Sequence, residues 1–282
     1  MIIKPLSDVL GAEISGVDLR KPLDKGMLQE LTELFGKHQV LVFRDQKLEP
    51  HEQIEACRQF GEIEPHPLKN NTQEFTEMTV VSNVFVDGKP LGFLGPPFEL
   101  WHSDLCYLEK PAKMTFLYAH TVPEKNGDTW FADMRQAYED LSEDVKRKVE
   151  GRRAVFGLNQ NLVERCRQKD WPMYLADEDV QPDVLHPVVR THPQTRRKSL
   201  FINWAHTDRI EGYSDQESQA LLDHIFEHSR KERYIYRHAY RQGDVIVWDN
   251  ASTLHTNCPE HPETDRIMLR VVIKGDAPFY EA

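Results

Sequence analysis

Short strand-like runs recur along the whole chain, and this pattern restricts it to a mainly β architecture. Three close the sequence, at residues 234–240, 244–249 and 266–274. Earlier ones are predicted at 2–5, 12–19, 39–44, 79–84, 114–122, 128–132, 188–191 and 199–203. Helices are fewer. Met27, Leu28, Leu31, Leu34 and Phe35 fall at helical spacing and predict a helix over 25–37. A second is predicted over 50–60, with Pro50 in the first turn, where its missing N–H costs nothing. A charged surface helix is predicted over 136–150 and another helix over 215–228, while 160–187 shows no readable period. Residues 87–100, with three Gly and three Pro, predict a loop. Many short strands with few helices point to a β-barrel or double sheet of jelly-roll type, its helices packed outside. With no repeat, low-complexity segment or linker, one domain over 1–282 is expected, with a candidate active-site lid at 68–100.

Charge narrows the partners. The balance of 35 basic against 46 acidic residues gives −11, which argues against nucleic acid or an anionic membrane surface as the main partner. An acidic protein that binds a small anion needs a local basic pocket. No apolar run approaches the roughly 20 residues needed to span a bilayer. The four cysteines, Cys57, Cys106, Cys166 and Cys258, form no CxxC, which suits reduced thiols. The first residues show no apolar core followed by a small-residue cleavage site, so a cytoplasmic protein is expected.

Two distant stretches carry metal-ligand chemistry. Trp101-His102-Ser103-Asp104 offers an imidazole and a carboxylate two residues apart, and His255 offers a second imidazole. Two His and one carboxylate make the three-ligand face that holds non-haem Fe(II) with positions open for chemistry. An isolated HxD is more often structural than functional, and this chain holds a second, His206-Thr207-Asp208, expected on an exit loop. On a strand, His102 and Asp104 point to the same side, so they can converge on one ion. Downstream, Arg266, Met268 and Arg270 share one face of a strand, the arginines roughly 13 Å apart. If that face is buried, both arginines need anionic partners; a solvated edge strand with outward arginines is an equal alternative.

These motifs, together with GAEISGVDL, QVLVFRDQ, NGDTWFADMRQAY, GDVIVWDN and RIMLRVVIKGDAPFY, resemble the Fe(II)/2-oxoglutarate-dependent dioxygenases of the taurine and 2,4-dichlorophenoxyacetate dioxygenase family. The resemblance covers essentially the whole chain and implies a jelly-roll (double-stranded β-helix) core with flanking helices. It places the iron ligands on His102, Asp104 and His255, and the cosubstrate-carboxylate partners on Thr129 and Arg266. Substrate binding falls on Arg270, with Asn70 and Leu105 as further candidates. Fe(II), 2-oxoglutarate and O2 are implied, as is a homo-oligomer. The implied reaction hydroxylates a small carboxylate or sulfonate and releases succinate and CO2. Where taurine enzymes carry a sulfonate-binding His, Pro65-His66-Pro67-Leu68-Lys69 leads here to Asn70, which brings no charge. With Phe93 and Phe98 nearby, that departure favours a substrate with an apolar or aromatic body over taurine. The competing readings are a taurine or alkylsulfonate dioxygenase proper, a zinc hydrolase using the same ligands, and a non-catalytic anion-binding β-barrel.

Overall fold

The computed structural model describes residues 1–65, 75–93, 95–96, 98–171 and 175–282. It is mainly β, and two sheets position everything that follows. The larger has seven strands. In spatial order they are Ile2–Pro5, Ala12–Ser15, Val40–Phe43, Val245–Asp249, Ala112–Thr121, Ile267–Lys274 and Met78–Ser82. Only the pair between Ala12–Ser15 and Val40–Phe43 is parallel. The smaller sheet has Thr129–Asp133 at its centre, flanked by Ile235–His238 and Thr253–Asn257.

The central strands of the large sheet are buried on both faces, which explains why they read as unbroken apolar runs rather than as an alternation. Leu41, Phe43, Phe116, Val245, Val247, Leu269 and Val271 face one core, where Leu31 and Phe35 of helix Lys25–His38 and Ile54 of helix Pro50–Arg58 pack against them. Their neighbours Val40, Val42, Leu117, Ile246, Trp248 and Met268 face the opposite way and pack with Phe131 of the smaller sheet. A third core on the far side of that sheet joins Ala132 and Leu254 to helix Asp215–Ser229 through Leu222, Ile225 and Phe226.

Local signals set the helix ends. Asp24 caps Lys25–His38 by accepting from Met27 N–H at 2.8 Å. The same helix stops at Gln39, whose φ of 62° turns the chain into the next strand. The fully buried Gln39 amide then donates to Asp133 Oδ1 and to the Ser252 carbonyl, tying this helix end to the turn before the His255 strand. Glu49 and Glu52 form a capping box at Pro50–Arg58.

Two expectations need correction, and one unassigned stretch gains its elements. The helix over 136–150 is two helices, Met134–Glu139 and Glu143–Val149, because Ser142 caps the second by accepting from Val145 N–H. It is not purely a surface element, since Met134, Arg135, Ala137 and Tyr138 are buried. The loop over 87–100 contains Lys89–Pro90, which pairs with Phe85–Val86 as a short ribbon turning at Asp87 and Gly88, both with positive φ. The polar stretch over 160–187 holds helix Gln160–Arg167 and strand Val184–Pro187. Residues 68–74 of the candidate lid, Asn70 among them, lie outside the described residues.

Candidate metal centre and anion pocket

His255 lies in the middle of strand Thr253–Asn257. Its N–H donates to His102 O at 2.9 Å, and His102 N–H donates back to His255 O at 3.0 Å. This single antiparallel bridge sets the two imidazoles side by side, with ring centroids 4.2 Å apart. Asp104 follows in a turn, not on a strand. Leu105 takes φ 53°, a left-handed conformation that costs a residue with a Cβ roughly 1 kcal/mol, and it reverses the chain directly after the carboxylate. A bridge and a turn therefore bring the HxD side chains together, in place of the strand alternation predicted. One donor atom from each of His102, Asp104 and His255 lies within 4.8 Å of the others. His255 Nε2 is 3.8 Å from Asp104 Oδ2.

The protonation states suit a divalent cation. Burial lowers the His102 pKa, against the opposing pull of Asp104. Burial, reinforced by His102, takes His255 down to about 3. Burial pushes Asp104 up, but His255, Arg270, His102 and the Thr115 hydroxyl outweigh it and hold the carboxyl well below its ordinary value. At neutral pH the cluster is two neutral imidazoles and one carboxylate, the forms in which these groups ligate metal. His102 Nδ1–H donates to the Leu100 carbonyl at 2.7 Å, which fixes the tautomer and leaves Nε2 as the ligand atom. His255 Nδ1 is buried without a hydrogen-bond partner among the described residues. This donor set fits Fe(II).

The cluster lines a cavity of about 250 Å³ between the two sheets. Arg266, Arg270, Thr129 and Leu105 line it too, so four more of the sequence candidates come together there. Arg266 and Arg270 reach one cavity although the strand begins at Ile267 and shifts register against Ala112–Thr121 between Ile267 and Met268. The buried alternative is the one realised, with Arg266 7% exposed. Burial lowers the Arg266 pKa, partly offset by Tyr240 and Asp128. Among the described residues its side chain has one hydrogen-bond acceptor, Gly127 O at 3.1 Å from Nε. Arg270 Nη1 donates to Asp104 Oδ1 at 3.2 Å.

Sequence reasoning missed Tyr240, whose hydroxyl donates to Thr129 Oγ1 at 2.9 Å and whose ring lies 5.9 Å from the Arg266 guanidinium carbon. It also misjudged the second HxD. His206 occupies a turn, but Asp208 is on strand Thr207–Ile210, and the two side chains diverge. His206 faces the cavity, anchored by Nδ1–H donating to Gly157 O at 3.0 Å, and burial takes it down to about 3. Asp208 is bound by Arg165 at 2.7 Å and by Asn159 and Asn161. The rest of the lining is largely apolar, with Leu100, Tyr107, Leu117, Leu158, Leu162 and Trp248.

Known proteins resemble this chain over nearly its whole length. The sequence model of the family described as "Taurine catabolism dioxygenase TauD, TfdA family" matches residues 2–272. The alpha-ketoglutarate-dependent 2,4-dichlorophenoxyacetate dioxygenase of Cupriavidus pinatubonensis is 34% identical over 98% of this chain and 99% of that protein. The (S)-phenoxypropionate/alpha-ketoglutarate-dioxygenase of Sphingobium herbicidovorans is 34% identical over 97% of this chain and 95% of its own length. Among solved structures, that of AAD-2 in complex with Mn(II) and N-oxalylglycine superposes with a TM-score of 0.82 at 30% identity, covering 99% of both chains.

Proposed function

The chain belongs to the taurine catabolism dioxygenase TauD, TfdA family, and from that premise we propose that it is an Fe(II)- and 2-oxoglutarate-dependent dioxygenase that hydroxylates a small organic anion with an apolar or aromatic body. The observation that carries this reading is one cavity lined by a His-Asp-His cluster and two arginines. We read the two facing sheets as a jelly-roll core and the chain as a single domain over 1–282.

His102, Asp104 and His255 would hold the metal. Bound there, Fe(II) with 2-oxoglutarate and O2 supplies the oxidising chemistry, releasing succinate and CO2 as the substrate gains a hydroxyl. The protein's part is binding, orientation and exclusion of water. Arg266 receives the distal carboxylate of 2-oxoglutarate, its planar guanidinium suited to both carboxylate oxygens. Thr129 adds a hydroxyl to the same carboxylate; because Tyr240 donates to Thr129 Oγ1, the Thr129 proton is free to point at the anion. Arg270 holds the substrate anion beside the metal cluster, and the apolar lining takes the rest of the molecule. Leu105, which also lines the cavity, is assigned to the substrate side.

A zinc hydrolase built on the same ligands leaves Arg266 without a role, and a binding barrel leaves the buried ligand set without one. Iron-dependent, substrate-stimulated succinate formation separates the three. Among the relatives named above, two carry aryloxy-acid names, and this supports an aryloxy carboxylate class ahead of taurine.

Arg270→Ala is expected to weaken the substrate by about 1.5–3 kcal/mol, the range for a hydrogen bond to a charged group, while slow substrate-independent decarboxylation of 2-oxoglutarate survives. Because Arg270 also touches Asp104, metal affinity is measured on the same variant. Unchanged substrate affinity would remove Arg270 from the anion site.

A further inference from the structure

The Asp104 carboxylate is held from behind by two residues that do not line the cavity. Thr115, on strand Ala112–Thr121, donates from Oγ1 to Asp104 Oδ2 at 2.6 Å. Asn250 Nδ2 donates to that same Thr115 oxygen at 2.9 Å. The Asn250 amide has a defined orientation, because its Oδ1 accepts from Asp104 N–H at 3.0 Å and from Trp248 Nε1–H at 3.2 Å. Ser103 Oγ donates to the Asn250 carbonyl at 2.8 Å and pins the intervening residue. Thr115, Asn250, Ser103, Asp104 and Trp248 are each no more than 4% exposed.

The direction of the chain follows from its donors. Thr115 has one hydroxyl proton, and its oxygen already accepts from Asn250. The proton therefore goes to Asp104 Oδ2. Arg270 takes the other oxygen, Oδ1. Asn250 thus fixes Asp104 twice, through its backbone N–H directly and through its carboxylate by way of Thr115.

We propose that Thr115, backed by Asn250, is a positioning residue for the metal site: it fixes the rotation of the Asp104 carboxylate so that the His-Asp-His face is preformed before metal arrives. The inference rests on the metal-binding reading of that cluster. Neither residue lines the cavity, and the direct link from the Thr115 hydroxyl to the cluster is its bond to Asp104.

The test is Co(II) binding to the whole chain by titration calorimetry and visible absorption, without 2-oxoglutarate or substrate. Thr115→Val keeps the shape and removes the donor; Thr115→Ser keeps the donor. Partners of metal ligands typically change metal affinity by about 10- to 100-fold. Thr115→Val is expected to bind Co(II) weaker by that factor, and Thr115→Ser within about threefold of the parent, with a Co(II) spectrum like the parent's. Thr115→Ala serves as a second donor-free variant, and thermal unfolding in chelator gives the metal-free stability of each. A merely structural Thr115 would lower that stability and leave Co(II) affinity alone. Equal Co(II) affinity in the Val and Ser variants would overturn the inference while the parent's binding stands. A parent that binds no Co(II) would overturn the metal reading and the inference with it.

Discussion

His102→Ala, Asp104→Ala and His255→Ala are each expected to abolish turnover, with iron content in the purified variants falling with it. The three residues supply one ligand atom each within 4.8 Å, and a three-ligand site that loses one ligand loses the face that holds the metal. None of the three changes should unfold the chain, because both histidines are tied in largely through main-chain hydrogen bonds and Asp104 N–H keeps its bond to Asn250. The His102–His255 bridge uses main-chain N–H and C=O groups and survives truncation of either imidazole. Asp104→Ala is the least benign, since it strips Thr115 and Arg270 of their acceptor. His206→Ala and Asp208→Ala are the internal controls. His206 faces the same cavity but joins no ligand cluster among the described residues, and Asp208 is bound by Arg165, Asn159 and Asn161. Both variants should retain iron. Iron loss in His206→Ala, with none in His102→Ala, would reverse the ligand assignment.

Arg266→Ala comes next in size. Arg266 is 7% exposed, so a carboxylate bound to it is largely withdrawn from water. Removing one partner of such a pair costs about 2–5 kcal/mol, or roughly 30- to 4,000-fold in 2-oxoglutarate affinity at 1.4 kcal/mol per tenfold. Thr129→Ala removes a single hydrogen bond at the same carboxylate and is expected to cost about 1 kcal/mol. Tyr240→Phe leaves the Thr129 hydroxyl in place but frees its orientation, and its effect should be smaller than that of Thr129→Ala. The apparent affinity for 2-oxoglutarate, read from succinate formation against cosubstrate concentration, checks the order of the three. An Arg266→Ala variant with unchanged affinity would show that another cation takes the distal carboxylate.

The parts of this site that were legible in the sequence are those that local pattern encodes. The Ile267–Lys274 strand announces itself by an apolar run interrupted by an arginine, and the HxD spacing with a distant His picks out the three side chains that cluster. What pattern does not encode is pairing across the chain. The Thr115 bond to Asp104 spans 11 residues, the Tyr240 bond to Thr129 spans 111, and the Asn250 bond to Asp104 spans 146. A threonine and an asparagine inside strand-rich apolar stretches carry no periodic signal of their own. The HxD geometry was misread for a related reason. Alternation along a strand is the default for residues two apart, whereas here a single bridge to His255 and a left-handed Leu105 do that work. The two-helix break at Ser142 was legible in principle, because a serine followed by the acidic residues Glu143 and Asp144 is a helix N-terminus signal, but the continuous charged run hides it.

The aryl-anion dioxygenase reading meets its most direct test in succinate formation by the purified chain with Fe(II), 2-oxoglutarate and O2, across matched substrates. The panel is an aryloxy carboxylate, an alkyl sulfate, an alkylsulfonate, taurine, and the neutral alcohol and amide analogues of the aryloxy acid. The expected result is iron-dependent succinate formation stimulated most by an anion with an apolar or aromatic body, least by the neutral analogues, and lost in His255→Ala. Succinate formation that no anion stimulates, or that a neutral analogue stimulates best, would contradict it.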